Sequence, residues 1–161
     1  MSTQTSPKIY ALIAAAGSGS RLGGEKPKQY QSLAGKRLLR HTLEVFVNCG
    51  IFYAIRVIID PQHADMYHDA VKGLPIDEFA IGGKERKDSI YSGLQFFSKA
   101  SHNDIVLIHD AARPFVTTSE ISALVTAATE HKAATLATPA SDTPLRDENP
   151  AYINRERIWS T

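Results

Sequence analysis

Short apolar, β-branched runs alternate along this chain with segments whose apolar residues recur at helical spacing. The runs Ile9–Ala14, Ile55–Ile59, Phe79–Ile81, Ile105–Ile108 and Thr135–Thr138 read as strands. Between them, Leu38–Asn48 places Leu39, Leu43 and Phe46 on one helical face, and His63–Val71, Ser89–Phe97 and Ser119–His131 read as further helices. The last of these opens on "TTSE", an N-cap residue followed by an early acidic one. Near-continuous apolar strands alternating with helices predict an α/β fold: a mostly parallel open sheet with helices on both faces. Past Pro139 the pattern weakens into the polar, turn-rich "ASDTPLRDENP", and "AYINRERIWST" reads as a strand or an arm. No internal repeat or low-complexity segment interrupts the pattern.

In parallel sheets, ligands sit beyond the carboxyl ends of the strands. Three unusual segments fall there: "AAGSGSR" after the first strand, "GGKERKDS" after the third and "HDAARP" after the fourth. Although distant in sequence, they are expected to share one rim. In the first, Gly17 and Gly19 free the backbone, and their amides with those of Ser18 and Ser20 could form an anion-binding concavity. Arg21 offers a planar fork for phosphate oxygens, and Lys28, stiffened by Pro27, a mobile point charge. This describes a polyphosphate cradle. It is not a P-loop, because "GGEKPK" lacks Gly-Lys-Ser/Thr, and not a dinucleotide fingerprint, because Leu22 stands where the third glycine belongs.

Two residue sets admit two readings each. Asp110, closing a buried strand, suits a divalent cation that bridges phosphate oxygens, or it caps the following turn or pairs with Arg113. The helix start after Gly82 and Gly83 suits a nucleotide's sugar or base edge, or is an ordinary cap using Asp88 or Ser89.

The 161 residues suffice for one domain with a real core, and a hydrophobic content of 43% is ordinary for a folded protein. Eighteen Lys and Arg against 17 acidic residues leave too little net charge for nucleic-acid binding by bulk electrostatics. Cys49, the single cysteine, excludes an internal disulfide and reads as a small buried residue. Neither a signal peptide nor a membrane-length apolar run is visible, so a cytoplasmic protein is expected. The histidines show no zinc spacing, no Gly-x-Ser-x-Gly elbow or Cys-His arrangement occurs, and Trp159 reads as a packing residue.

Taken together, "AAAGSGSRLGGEKPKQY", "GGKERKDSI", "HDAARP" and "SDTPLR" resemble, in order and approximate spacing, the 2-C-methyl-D-erythritol 4-phosphate cytidylyltransferases. The likeness runs from Tyr10 to Trp159. It implies a Rossmann-like nucleotidyltransferase fold and transfer of CMP from CTP to methylerythritol phosphate with release of pyrophosphate, in non-mevalonate isoprenoid synthesis. It implies that Ala15, Ala16, Gly17 and Gly19 line the CTP site, with Arg21 and Lys28 as the catalytic cations. Gly83, Lys84 and Ser89 fall in the segment that meets cytosine and ribose; Lys84 stands where some relatives carry Asp. Asp110 matches the Mg²⁺ ligand, with Ala111 and Arg113 beside it, and Arg113, Thr143 and Arg155 match substrate-binding positions. Residues 139–158 correspond to an arm that embraces a partner subunit, which implies a homodimer.

The family pattern continues past Trp159 into Thr-Pro-Gln and later segments that hold a catalytic lysine. The 161 residues, read as one domain, are therefore expected to match the family's N-terminal two-thirds. Relatives also show Asp-Thr-x-Lys where this chain has "DTPLR", with Arg146 the nearest cation. The alternatives are a cytidylyltransferase for ribitol 5-phosphate or another sugar phosphate, and a catalytically silent nucleotide-binding or dimerisation module.

Overall fold

The computed structural model describes residues 6–17, 26–76, 78–139 and 159–160. The chain divides into two compact units, Met1–Ile121 and Ser122–Thr161.

In the first unit, β1 (Ile9–Ala15), β4 (Ala54–Ile59), β5 (Phe79–Ile81) and β6 (Ile105–Asp110) form one sheet in the order β5-β4-β1-β6. All three pairings are parallel, with Ala15 opposite Ile59 and Ala14 opposite Asp110. A two-residue hairpin, β2 (Ser32–Leu33) and β3 (Lys36–Arg37), precedes α1 (Leu38–Cys49). The remaining helices are α2 (Ala64–Val71), α3 (Arg86–Leu94) and α4 (Thr118–His131), the last running into the second unit.

The strand order carries the functional consequence. The chain steps outward from β1 to β4 to β5, then crosses back to the far side of β1 to lay down β6. Right-handed crossovers place the helices of the outward steps on one face and that of the return on the other. The burial pattern agrees with this. Tyr10, Leu12, Ile58 and Ala80 form a buried cluster with Phe97, against which Ile90 and Leu94 of α3 pack. The alternate positions Ala11, Ile13, Val57 and Ile59, which period 2 turns to the other face, are equally buried. Leu39, Leu43 and Phe46 are the buried stripe of α1, as their spacing predicts.

Three expectations shift. α3 begins at Arg86, three residues before Ser89, because Asp88 accepts the N–H of Glu85 at 3.2 Å and so caps the helix from inside a polar stretch. It also ends at Leu94, and a 3₁₀ turn carries the chain through Gln95–Phe97. Residues 135–137 are not a strand; only β7 (Thr138–Pro139) pairs, antiparallel, with β8 (Trp159–Ser160) in the second unit. Cys49 is the half-buried last residue of α1 rather than a core residue, followed by Gly50 in the left-handed region at φ 69°.

Candidate active site

The winding reverses between β1 and β6, and this switch point opens a crevice at their carboxyl ends. A cavity of about 1100 Å³ occupies that end of the sheet. Its lining joins the turns after β1, β5 and β6: Ala16 and Gly17; Gly83, Lys84, Arg86 and Ser89; Asp110, Ala111 and Arg113. Lys28 and Gln29, from the 3₁₀ turn Lys28–Tyr30, and Asp60, after β4, also line it. The shared rim expected of the three segments is thus present among the described residues. Ala15 does not line the cavity; it is buried, and its carbonyl accepts the Gln29 amide. Gly19, Arg21, Thr143 and Arg155 lie outside the described residues.

The β5 turn is tied to β4 and packed against the β1 turn. Gly82 donates to the carbonyl of Ile59, the last residue of β4, at 2.8 Å, and a Cβ at Gly82 would collide with that of Ala16. Only a glycine permits this approach. Ser89, nearly a full turn into α3, points back: its hydroxyl accepts the Gly83 N–H at 3.0 Å and reaches the Glu85 carbonyl at 3.1 Å. The serine therefore shapes the loop and does not start the helix. On the β6 side, Ala111 donates to the Ala14 carbonyl at 3.0 Å, and Thr42 of α1 donates to that of Ala111 at 2.9 Å. Burial pushes the phenol of Tyr30, behind the Lys28 turn, well above its ordinary pKa, with Tyr67 and Asp60 adding to the effect.

Asp110 stands at the mouth of the crevice between two guanidinium groups. Arg86 Nη1 lies 2.8 Å from its Oδ1, and Arg113 Nε 3.1 Å from its Oδ2. The pairing with Arg113 was one of the two sequence readings; that with Arg86 was not foreseen. Its signal is the single arginine of the polar "GGKERKDS", but only the fold brings it to Asp110, 24 residues along. Among the described residues, four cations (Lys28, Lys84, Arg86, Arg113) and three carboxylates (Asp60, Glu85, Asp110) line the cavity.

A divalent cation fits this donor set in one way. Among the described residues no three His, Cys, Asp or Glu converge. Asp110 could contribute one carboxylate, with phosphate oxygens and water completing the shell, as Mg²⁺ commonly accepts. Its ion pairs are partly exposed and so readily exchanged.

A strand-order reversal with glycine-tethered turns over it defines a Rossmann-like α/β domain with a ligand crevice at its switch point. The chain belongs to the 2-C-methyl-D-erythritol 4-phosphate cytidylyltransferase (IspD) family, whose pattern it matches over residues 9–160. It is 43% identical over 156 residues to the bifunctional enzyme IspD/IspF of Rhodospirillum rubrum, a match covering 94% of this chain and 40% of that protein. It is 36% identical over 160 residues to the 2-C-methyl-D-erythritol 4-phosphate cytidylyltransferase of Pelotomaculum thermopropionicum, covering 94% of this chain and 66% of that one. The crystal structure of 4-diphosphocytidyl-2C-methyl-D-erythritol synthase from Anaerococcus prevotii superposes with a TM-score of 0.76 at 25% identity, covering 96% of this chain and 68% of that one. The chain thus spans 40% and 66% of the length of these two curated relatives. No helix among the described residues is long and apolar enough to cross a membrane.

Proposed function

We propose that this chain carries the CTP-binding half-site of a cytidylyltransferase that transfers CMP from CTP to 2-C-methyl-D-erythritol 4-phosphate. The observation that supports this most is the convergence of Gly17, Lys28, Gly83, Ser89 and Asp110 on one cavity at the switch point. In this reading Ala16, Gly17 and Gly19 approach the triphosphate, with Arg21 and Lys28 as its cations. Gly83, Lys84, Ser89 and Ala111 face the nucleoside, and Arg113, Thr143 and Arg155 hold the acceptor phosphate. Residues 139–158 serve as the arm of a cytoplasmic homodimer.

The reaction is in-line displacement. A phosphate oxygen of methylerythritol phosphate attacks the α-phosphorus of CTP, the bond to the bridging oxygen breaks, and pyrophosphate leaves with that electron pair. A phosphate monoester has its second pKa near ~6, so at neutral pH the nucleophile is already largely dianionic and needs no general base. What remains for the protein is alignment and charge stabilisation. Lys28 and Arg21 would neutralise charge on the transferred and leaving phosphates, and Arg113 would steer the acceptor. Bound at Asp110 and the phosphates, Mg²⁺ would supply further charge neutralisation.

Calorimetry of the purified chain with CTP and Mg²⁺, beside a pyrophosphate-release assay with methylerythritol phosphate, tests the reading. CTP binding is expected of this chain, and in a full-length version that turns over Lys28→Ala is expected to lower kcat by about 10²–10³ while KM for CTP moves far less. Binding without turnover would assign the chain nucleotide capture alone. No CTP binding would overturn the proposal.

A further inference from the structure

Gln29 is a polar side chain almost completely withdrawn from water, with 5% of its surface exposed. Its Nε2 donates to the carbonyl of Ala15 at 2.6 Å and to that of Gly17 at 2.9 Å. Because both partners are acceptors, the NH₂ end of the amide must face them. No other uncharged side chain of this length presents two donors from one atom. We propose that Gln29 is the positioning residue of the phosphate cradle: it sets the course of the backbone leaving β1 and holds Lys28 beside it. This rests on the triphosphate reading given above.

Two consequences follow from the geometry. In a trans peptide unit the N–H points opposite to the C=O. Turning the Ala15 carbonyl toward Gln29 therefore turns the Ala16 N–H away from it, and Ala16 and Gly17 both line the cavity. The second consequence concerns the cation. Lys28, Gln29 and Tyr30 form a single 3₁₀ turn. Tyr30 is fully buried, and Arg37 Nη1 donates to its carbonyl at 2.8 Å. The turn is thus fastened to the core by Tyr30 and to the β1 loop by Gln29, and Lys28 is its exposed member. Loop backbone and lysine, 11 positions apart in sequence (17 to 28), keep a fixed separation through one amide. Without those donors, two inward-facing carbonyls lose their partners, and the loop would relieve this by turning them toward water. A carboxylate at position 29 would set acceptor against acceptor.

The test compares CTP, CMP and cytidine by calorimetry in Mg²⁺ buffer, for the unmutated chain, Gln29→Met and Gln29→Glu. Gln29→Met, of similar volume but without donors, is expected to weaken CTP about tenfold or more and CMP much less, with a larger CTP loss for Gln29→Glu. A merely structural residue would lower all three affinities together. If the unmutated chain binds CTP no better than cytidine, the triphosphate reading fails, whatever Gln29 does. If it prefers CTP and Gln29→Met keeps that preference, or loses CTP and CMP equally, the positioning role is overturned. Should the variants not fold, NMR of the unmutated chain decides: slow exchange of both Gln29 side-chain amide protons is expected, and fast exchange would overturn the proposal.

Discussion

Arg86 meets Asp110 at 2.8 Å, yet 63% of its side chain is exposed. Exposed ion pairs of this kind contribute only about 0–1 kcal/mol, so the contact does little to hold the fold. Its importance lies in where it puts a positive charge: at the first turn of α3, on the lining of the cavity. Replacing it is expected to change ligand binding and to spare stability. Arg86→Ala should leave the unfolding free energy within about 0.5 kcal/mol. It should weaken CTP several-fold at low salt, and that loss should shrink at high salt, where the Debye length falls from about 10 Å at 0.1 M to about 3 Å at 1 M. Calorimetry at two ionic strengths measures this. A loss independent of salt would mean that Arg86 acts by shaping the loop and not through its charge.

At the scale of elements, α3 shows why parts of this structure could be read from the sequence and parts could not. The strand Phe79–Ile81 appears with its expected bounds, and β1 and β4 differ by one residue each, because apolar runs bounded by turn residues are local signals. The start of α3 was misplaced because its first turn is polar and its cap, Glu85 with Asp88, sits in a stretch that reads as loop. Thr135–Thr138 misled for the opposite reason. It is a short run of Thr and apolar residues after a helix, as a strand would be, but a strand exists only where a partner pairs, and pairing begins at Thr138. In the site, Gly17 and Asp110 were visible as breaks at strand ends. The roles of Gln29 and Arg86 were not, since each depends on a contact that only the assembled sheet creates.

Gly93 is another such case, a glycine inside a helix where composition alone suggests a defect. A Cβ there would come within 2.6 Å of Leu12 Cδ1 and 2.9 Å of Ile58 Cγ1. The helix therefore lies on β1 and β4 at a distance that only glycine allows. Gly93→Ala would regain about 1 kcal/mol of helix propensity. Both neighbours are fully buried side chains, and overpacking such a site costs about 1–3 kcal/mol. The balance is a net destabilisation of about 1 kcal/mol, read as a lower urea midpoint, with Gly93→Val worse. A higher midpoint for the alanine would show that the helix stands farther from the sheet.

Over the whole sheet, both ends of the β1–β6 pair are closed by backbone bonds: Ala111 donates to Ala14 at the carboxyl end, where the site lies, and Ile105 donates to Lys8 at 2.9 Å at the amino end. The amino end adds a charge: Asp104 accepts the N–H of Ser101 and of Lys8, each at 2.8 Å. These bonds to the ionised form hold the Asp104 carboxyl below its usual range, as Lys36 and then Arg40 do for Glu44 and Thr117 does for Glu120. For each of these groups the unfolded chain binds its proton more readily than the folded chain. Their stabilisation is thus complete above the ordinary carboxylate pKa of about 4 and is lost as pH falls through the lowered values. The expected melting temperature is level from neutral pH down to about 5 and falls below about 4.5, more gently in Asp104→Asn, which has already lost the charge. Scanning calorimetry across that range measures it, and a melting temperature still level at about pH 3 would show these carboxylates to be as freely solvated in the folded chain as in the unfolded one. The window also separates folding from function: a phosphate acceptor titrates near ~6, inside the plateau, so a pH dependence of turnover there would report the nucleophile and not the sheet.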